Sequence, residues 1–392
     1  MVLRKLTAAA RVAALLCIDT WVICTARPKH SSRKALIVRL DAIGDFVLWL
    51  NGAEALASDF KAAGISTVLV ANSAWADWAR AMQLFDEIIP VQTGRFGNDF
   101  RYRYHLARQI RAAGFSSAIE PTYSRVWWAG DSIIRLSGAP ERIGSVGERP
   151  DWRNRMANRW FTRLVPAQPT DMMELIRTAE FMRILGHTEF RATAPQLKQG
   201  AFAPDEPFQA VSNSSTYYVL FPGASWSGRR WPAANFRRIA ERIWKQTGWL
   251  GVIAGAPSDA RLARELCDGA SVPLLDWTGR TSLAQFASLI AGARLVVSNE
   301  TSATHIAAAA GVPSVCILGG GHYGRFLPYD LEQNLQAATP RPVSQHMPCF
   351  GCNWNCIYHP PEGTPAPCIE GVTVESIWLE VQGVLELSQT TR

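Results

Sequence analysis

Residues 295–313, LVVSNETSATHIAAAAGVP, carry an apolar strand into a short polar turn and then into a helix of small residues. Leu295, Val296 and Val297 deliver Ser298, Asn299, Glu300, Thr301 and Ser302 to the point where the helix begins. Unpaired backbone N–H groups and the positive end of the helix dipole favour an anion at such a junction, with Ala303, Thr304 and His305 in the first turn beside it. The same residues also fit an ordinary capped helix in a parallel sheet, because Asn, Thr and Ser are common N-cap residues whatever the function. Either way, a strand that turns directly into a helix is one step of an α/β layer.

The same alternation recurs on both sides of this stretch. One series of short apolar strands reads at 35–40, 67–71, 117–120 and 142–144, and a second at 217–221, 250–254, 295–298 and 314–318. Near-continuous apolar runs separated by helices predict parallel sheets covered on both faces, hence two doubly wound domains. Between the series, 195–215 collects Pro, Ser, Gln and Asn without periodicity. The expected organisation is an extension over 1–33, a first domain over 34–200, a linker over 201–215 and a second domain over 216–392. A closing helix is expected over 374–387. Doubly wound domains bind ligands at the carboxyl ends of their strands, so the chemistry is expected there, in a cleft between the two.

The chain has 392 residues, 48% of them apolar, enough for two cores. Its net charge of +7 and pI near 9.1 suit phosphorylated ligands or an anionic membrane surface. No basic run interleaved with aromatics, zinc-finger spacing or RNP-like strand is present, so no nucleic-acid partner is expected. Residues 6–24 form an apolar stretch flanked by Arg4, Lys5, Arg27 and Lys29 but interrupted by Arg11 and Asp19. Those charges argue against a spanning helix or a cleaved signal. Two readings stand: an interfacial helix giving peripheral membrane contact, or a helix packed on the protein's own surface.

Cys17, Cys24, Cys267 and Cys316 stand singly in apolar surroundings and read as small buried hydrophobes. Cys349, Cys352, Cys356 and, after a Pro-rich loop, Cys368 have a spacing that can supply four thiolates to structural zinc or iron, with free thiols as the alternative.

Two further strand ends carry chemistry. The first strand runs into RLDAIGDFVL at 39–48, where Gly44 permits a tight turn and Asp45 falls at a helix start. Asp45 reads either as a cap or as a general base for an acceptor hydroxyl. The stretch lacks G-x-G-x-x-G, which removes positive support for a nicotinamide-dependent oxidoreductase. The second series opens into PGASWSGRRWP at 222–232, where Ser225 and the small residues around it lead to Arg229 and Arg230. Two guanidinium forks can clamp a diphosphate leaving group without a metal; a solvated basic pair is the plainer reading. Acceptor-side candidates are Arg39, Gly44, Asn72, Tyr123, Ser124, Arg125 and Glu174; for the last five a solvated or structural role is the plainer reading.

Together RLDAIGDFVL, PGASWSGRRWP and LVVSNETSATHIAAAAGVP, in this order, resemble glycosyltransferase family 9, the lipopolysaccharide heptosyltransferases, over residues 34 to about 380. The resemblance implies a GT-B architecture of two Rossmann-like domains, with the acceptor on the first and a nucleotide-sugar donor on the second. It also implies inversion at the anomeric carbon, no cofactor for catalysis, and a cytoplasmic enzyme acting on a saccharide or lipid-linked glycan. By motif, Asp45 takes the general-base role and Arg229 the diphosphate contact usually made by lysine. The family's Asp-Thr-Gly-x-x-His becomes Glu300-Thr301-Ser302-Ala303-Thr304-His305, with the acid near the donor sugar and backbone amides on the phosphates. ADP-heptose is the expected donor. The competing reading is a non-catalytic nucleotide-sugar-binding or assembly protein at the membrane.

Overall fold

The computed structural model describes residues 2–28, 33–148, 151–169, 171–203, 216–332 and 339–390, so the expected linker from 204 onward lies outside the described residues. The chain divides into two compact units. Met1–Phe46, Gly52–Thr170 and Arg177–Arg191 form the first, and Val47–Asn51, Asp171–Ile176 and Ala192–Arg392 the second.

The first unit holds a six-stranded parallel sheet of β1 (Lys34–Arg39), β2 (Ser66–Asn72), β3 (Glu87–Val91), β4 (Ser117–Glu120), β5 (Glu141–Ser145) and β6 (Arg163–Val165), in the order β3-β2-β1-β4-β5-β6. The second holds β7 (Tyr217–Phe221), β8 (Leu250–Ile253), β9 (Leu274–Asp276), β10 (Val296–Asn299), β11 (Ser314–Ile317) and β12 (Arg341–Val343), in the order β12-β11-β10-β7-β8-β9. Each chain order reverses beside the unit's first strand, between β1 and β4 and between β7 and β10. A doubly wound sheet opens its ligand crevice at that point. The expected strands are the four central ones of each sheet. The four that sequence reading passes over, β3, β6, β9 and β12, are the sheet edges.

Local sequence explains the elements around these sheets. The helix Ala233–Thr247 buries Phe236, Ile239, Ala240 and Ile243 on one face and stops at Gly248, whose φ of 67° is left-handed. Ser282 and Gln285 form a capping box that starts Leu283–Ala291. The expected closing helix runs over Val374–Thr390 and lays Ile377, Val381, Val384 and Leu385 into the second unit's core beside Tyr218, Ile253, Val297 and Val315.

The extension is a helix, Val2–Thr25, and among the described residues no helix is long and apolar enough to cross a membrane. Leu15, Asp19 and Val22 are buried against its own unit, while Trp21 is 63% exposed. Asp19 explains why. Its carboxylate accepts from Arg103 Nε at 2.7 Å and Nη2 at 2.5 Å and from Ser132 Oγ at 2.6 Å, with both side chains of the ion pair fully buried. Arg103 also donates to the Trp128 carbonyl at 2.9 Å and stands over the Phe96 ring. The charge that interrupts the apolar stretch therefore docks the helix on the helix Phe100–Ala113. Removing one partner leaves a buried charge uncompensated. Asp19→Ala should lower the unit's unfolding free energy by about 3 kcal/mol, read as an earlier urea midpoint; an unchanged midpoint would contradict the docking.

Candidate active site

In the second unit the ends of β7 and β10 are fastened to each other by Asn299. Its amide donates to the Pro222 carbonyl at 2.7 Å and accepts from the Trp231 N–H at 3.1 Å. Ser298 Oγ and Thr304 Oγ1 are bonded at 2.7 Å, holding the start of the helix Ser302–Ala309 under the strand. Thr301 is the N-cap and provides no side-chain cap, so its hydroxyl leaves the first-turn N–H groups to other partners. Ser302 is the first helical residue and is not at positive φ, so serine serves where the family pattern has glycine.

Arg229 and Glu300 meet at this edge. Arg229, at the end of the short helical turn Ser227–Arg229, donates to the Glu300 carbonyl at 2.7 Å, and its guanidinium lies 3.6 Å from the Glu300 carboxylate. Glu300 is 4% exposed, and among the described residues neither carboxyl oxygen has a hydrogen-bond partner. Arg229 Nε is likewise buried without one. Burial pushes the Glu300 carboxyl up to about 7, opposed by Arg229. A carboxyl and a guanidinium Nε–H without hydrogen-bond partners, both out of water, are unusual in a native interior and make this edge a candidate for binding a polar ligand.

The other donor-side candidates separate. Arg230 turns away and donates from Nε at 2.9 Å and Nη2 at 2.8 Å to the Ala224 carbonyl, bracing its own loop. Ser225 is exposed, Thr301 and Ser302 are half-buried, and Ala303 and Thr304 are buried, leaving only their backbone to face a ligand. His305 is buried, bonded through Nδ1 to Tyr329 at 2.9 Å with the rings parallel, and burial followed by Arg229 lowers its pKa to about 4. It is a neutral internal support.

In the first unit Asp45 is the third residue of the helix Ile43–Ala62, and the N-cap is Ala42, so Asp45 is not the capping residue. Gly44 lies inside the same helix and makes no tight turn. Arg39, at the end of β1, pairs with Asp41 at 2.8 Å and donates to the Pro121 carbonyl and, at 3.5 Å, to the Asp45 carbonyl. Asn72 donates to the Leu40 and Asp41 carbonyls and so supports the loop. Tyr123 lies under Arg177, and Ser124 donates to Glu148 at 2.6 Å. A shallow recess opens among Pro121, Tyr123, Ser145, Val165, Arg177 and Glu180. Two candidates move. Arg125 is buried beneath the surface, 3.7 Å from Asp131, over the Phe161 ring and bonded to Asn158. Glu174 belongs to the second unit, where it pairs with Arg325 at 3.0 Å.

Sequence reading missed one buried pair. Glu120, at the end of β4, is driven well above the ordinary carboxyl range by burial and then by Asp131, whose own pKa burial raises despite Arg125. The signal was available: an acid at the carboxyl end of the strand beside the crossover, with Gly130 packed where any Cβ would strike the Glu120 carboxyl.

All eight cysteines are free thiols. Cys17 and Cys24 are exposed and Cys267 is half-buried, so of the four isolated cysteines only Cys316 is the buried hydrophobe expected; the first two lie on the helix face turned from the core. Cys349, Cys352 and Cys356 lie close enough that their charges add to burial in raising the Cys368 thiol pKa, and the Gly320 N–H points at Cys368 Sγ at 3.5 Å. Among the described residues no three His, Cys, Asp or Glu side chains are arranged to hold a metal.

The model of Glycosyltransferase family 9 (heptosyltransferase) matches residues 142–353, more than half of the chain. The chain belongs to glycosyltransferase family 9. Among curated relatives of this family 9 chain, lipopolysaccharide heptosyltransferase 1 of Pseudomonas aeruginosa is 32% identical over 152 residues, 37% of this chain and 39% of that protein. The aligned part is thus under half of the relative's length. Among solved structures, E. coli heptosyltransferase WaaC with ADP-2-deoxy-2-fluoro heptose superposes with a TM-score of 0.63 at 18% identity, covering 89% of this chain and 99% of that one. The dodecameric iron-containing heptosyltransferase TibC with ADP-D-beta-D-heptose, from E. coli, gives 0.53 at 14%, covering 92% and 77%. The fold class is GT-B, with two Rossmann-like units.

Glu300 and His305 impose opposite pH slopes. A carboxyl held at about 7 against 4.5 contributes fully below pH 4.5 and loses that contribution as pH rises toward 7. A histidine held at about 4 against 6.5 contributes fully above pH 6.5 and loses it as pH falls toward 4. Glu300→Gln leaves the histidine slope alone, so relative to wild type its stability should gain about 3 kcal/mol as pH rises from 4.5 to 7. Urea denaturation across that range checks it, and parallel profiles would refute the assignment.

Proposed function

We propose that this family 9 protein is an inverting heptosyltransferase that moves heptose from an ADP-linked donor to a glycan of the cell envelope such as lipopolysaccharide core. The observation that carries the reading is the pair of half-buried Arg229 and buried Glu300, with its unsatisfied polar atoms, at the β7/β10 crossover, where a doubly wound sheet receives a nucleotide. The donor choice rests on the ADP-sugars named with the two similar solved structures. A nucleotide donor and eight free thiols both suit the cytoplasm.

In this mechanism Asp45 accepts the proton of the acceptor hydroxyl as its oxygen attacks the anomeric carbon. The bond from that carbon to the diphosphate oxygen breaks on the opposite face, and ADP departs with the electron pair. Arg229 and the opening N–H groups of the helix Ser302–Ala309 meet the growing charge, a task that fixed donors perform in place. Glu300 lies beside the sugar, where a carboxyl titrating near neutrality can either donate or accept a hydrogen bond. Arg230 acts indirectly by bracing the loop.

Asp45→Asn should lower kcat by about 10²–10⁴-fold with donor affinity retained, and Arg229→Ala should weaken ADP binding by roughly tenfold or more. ADP release from a donor panel with envelope glycan acceptors reads both. Undiminished transfer by Asp45→Asn would remove the base assignment, and ADP binding without transfer to any acceptor would favour the non-catalytic reading.

We further propose that Cys349, Cys352, Cys356 and Cys368 hold one iron or zinc ion as a structural clip on their loop. The reading rests on their number and spacing in the sequence, since among the described residues their side chains are not arranged to hold a metal, and on the Gly320 N–H toward Cys368, the kind of contact that supports a thiolate ligand. Elemental analysis should find about one ion per chain in wild type and much less in Cys352→Ser; wild type purified without metal would refute it.

A further inference from the structure

Arg229 is a long side chain on a short helical turn, 19% exposed, and nothing in its own segment fixes its guanidinium. A flexible cation loses up to about 2 kcal/mol of rotamer freedom when it is held in one geometry, so whatever orders it beforehand improves ligand affinity. Two groups do so here. One is Glu300. The other is the indole of Trp354, whose face lies 4.9 Å from the guanidinium carbon. That distance is within cation–π range and leaves the in-plane N–H groups free to point elsewhere.

Trp354 is itself held from several directions. Its ring covers Gly319 and Gly321, where an added Cβ would come within 2.4 and 2.2 Å of it. Nε1 donates to His322 Nδ1 at 3.2 Å, and Trp226 meets it edge to face. Since His322 Nδ1 accepts that bond, the proton sits on Nε2, which donates to Asn353 Oδ1 at 2.6 Å. The main chain is strained at this point: Asn353 and Trp354 have φ of 50° and 59°, a conformation side chains rarely adopt in succession. Strain of this kind persists where the surroundings over-determine it. The loop is tied by Gly351 N–H to the Gly320 carbonyl and Asn353 N–H to the Gly321 carbonyl, both 2.8 Å. Both strained residues lie between Cys352 and Cys356.

We propose that Trp354 is a positioning residue for donor binding, its indole holding Arg229 in the orientation that receives a nucleoside diphosphate. The inference rests on the donor reading of Arg229. The four-cysteine segment then has a function beyond its own fold: it presents the aromatic face that orders the phosphate-binding arginine.

Calorimetric titration of the full chain with ADP tests this. Trp354→Leu should bind ADP about tenfold more weakly, with donor KM raised more than kcat is lowered, while Trp354→Phe, which keeps a flat face, should recover most of the affinity. The double variant Arg229→Ala/Trp354→Leu should bind no more weakly than Arg229→Ala alone, since Trp354 acts through Arg229. Trp354→His, with a ring too small to span the guanidinium, serves if the leucine variant melts early. Wild-type affinity in Trp354→Leu, or additive losses in the double variant, would overturn the proposal. Should Arg229→Ala itself bind ADP normally, the donor reading fails and this inference with it. Weakening in Arg229→Ala without weakening in Trp354→Leu would sink the positioning role alone.

Discussion

The second unit depends on one arrangement at the end of β10: a carboxyl drawn out of water beside a guanidinium that stays 19% exposed, close enough to attract but not to satisfy each other. Desolvating the carboxyl is expensive, and a contact of 3.6 Å with no hydrogen bond between the two charged groups offsets little of that cost. The neighbouring residues make sense as the means of sustaining it. Asn299 joins the strand ends, Arg230 braces the approaching loop, and the Ser298–Thr304 bond fixes the helix start. His305 fills the interior below as a neutral ring, which avoids adding a second cation beside Arg229.

The two units repeat one strand order with opposite chemistry at the crossover. In the second, an arginine approaches the strand end together with the uncapped start of a helix, and the local preference is for an anion. In the first, Glu120 and Asp131 are buried together and Arg125 is turned inward to them, while Asp45 stands on the helix that follows β1. The fold supplies two equivalent crevices, and their side chains give them different electrostatics.

What was legible in the sequence follows from the same physics. Central strands of a parallel sheet are buried on both faces, so β1, β2, β4 and β5, and β7, β8, β10 and β11, announce themselves as apolar runs. The edges do not. β3 carries Pro90, β12 carries Pro342, and β6, β9 and β12 are three residues long, features an edge tolerates and a pattern search discards. Among site residues, those whose meaning lies in the backbone, such as the helix start at Thr301 and Ser302, could be read from spacing. Those decided by a distant partner could not: Arg229 and Arg230 are adjacent in sequence, yet one faces Glu300 and the other Ala224. Asp19 looked like a fault in an apolar helix until Arg103, far along the chain, gave it a partner. Trp354 had no sequence signal beyond its place among cysteines.

The central claim is that the Arg229–Glu300 junction is where a nucleoside diphosphate binds. A crystal structure of the protein with ADP tests it most directly. The diphosphate should lie against the Arg229 guanidinium and the first N–H groups of the helix Ser302–Ala309, with Trp354 still stacked on Arg229. ADP bound elsewhere, with Glu300 and Arg229 unchanged and still unsatisfied, would contradict it.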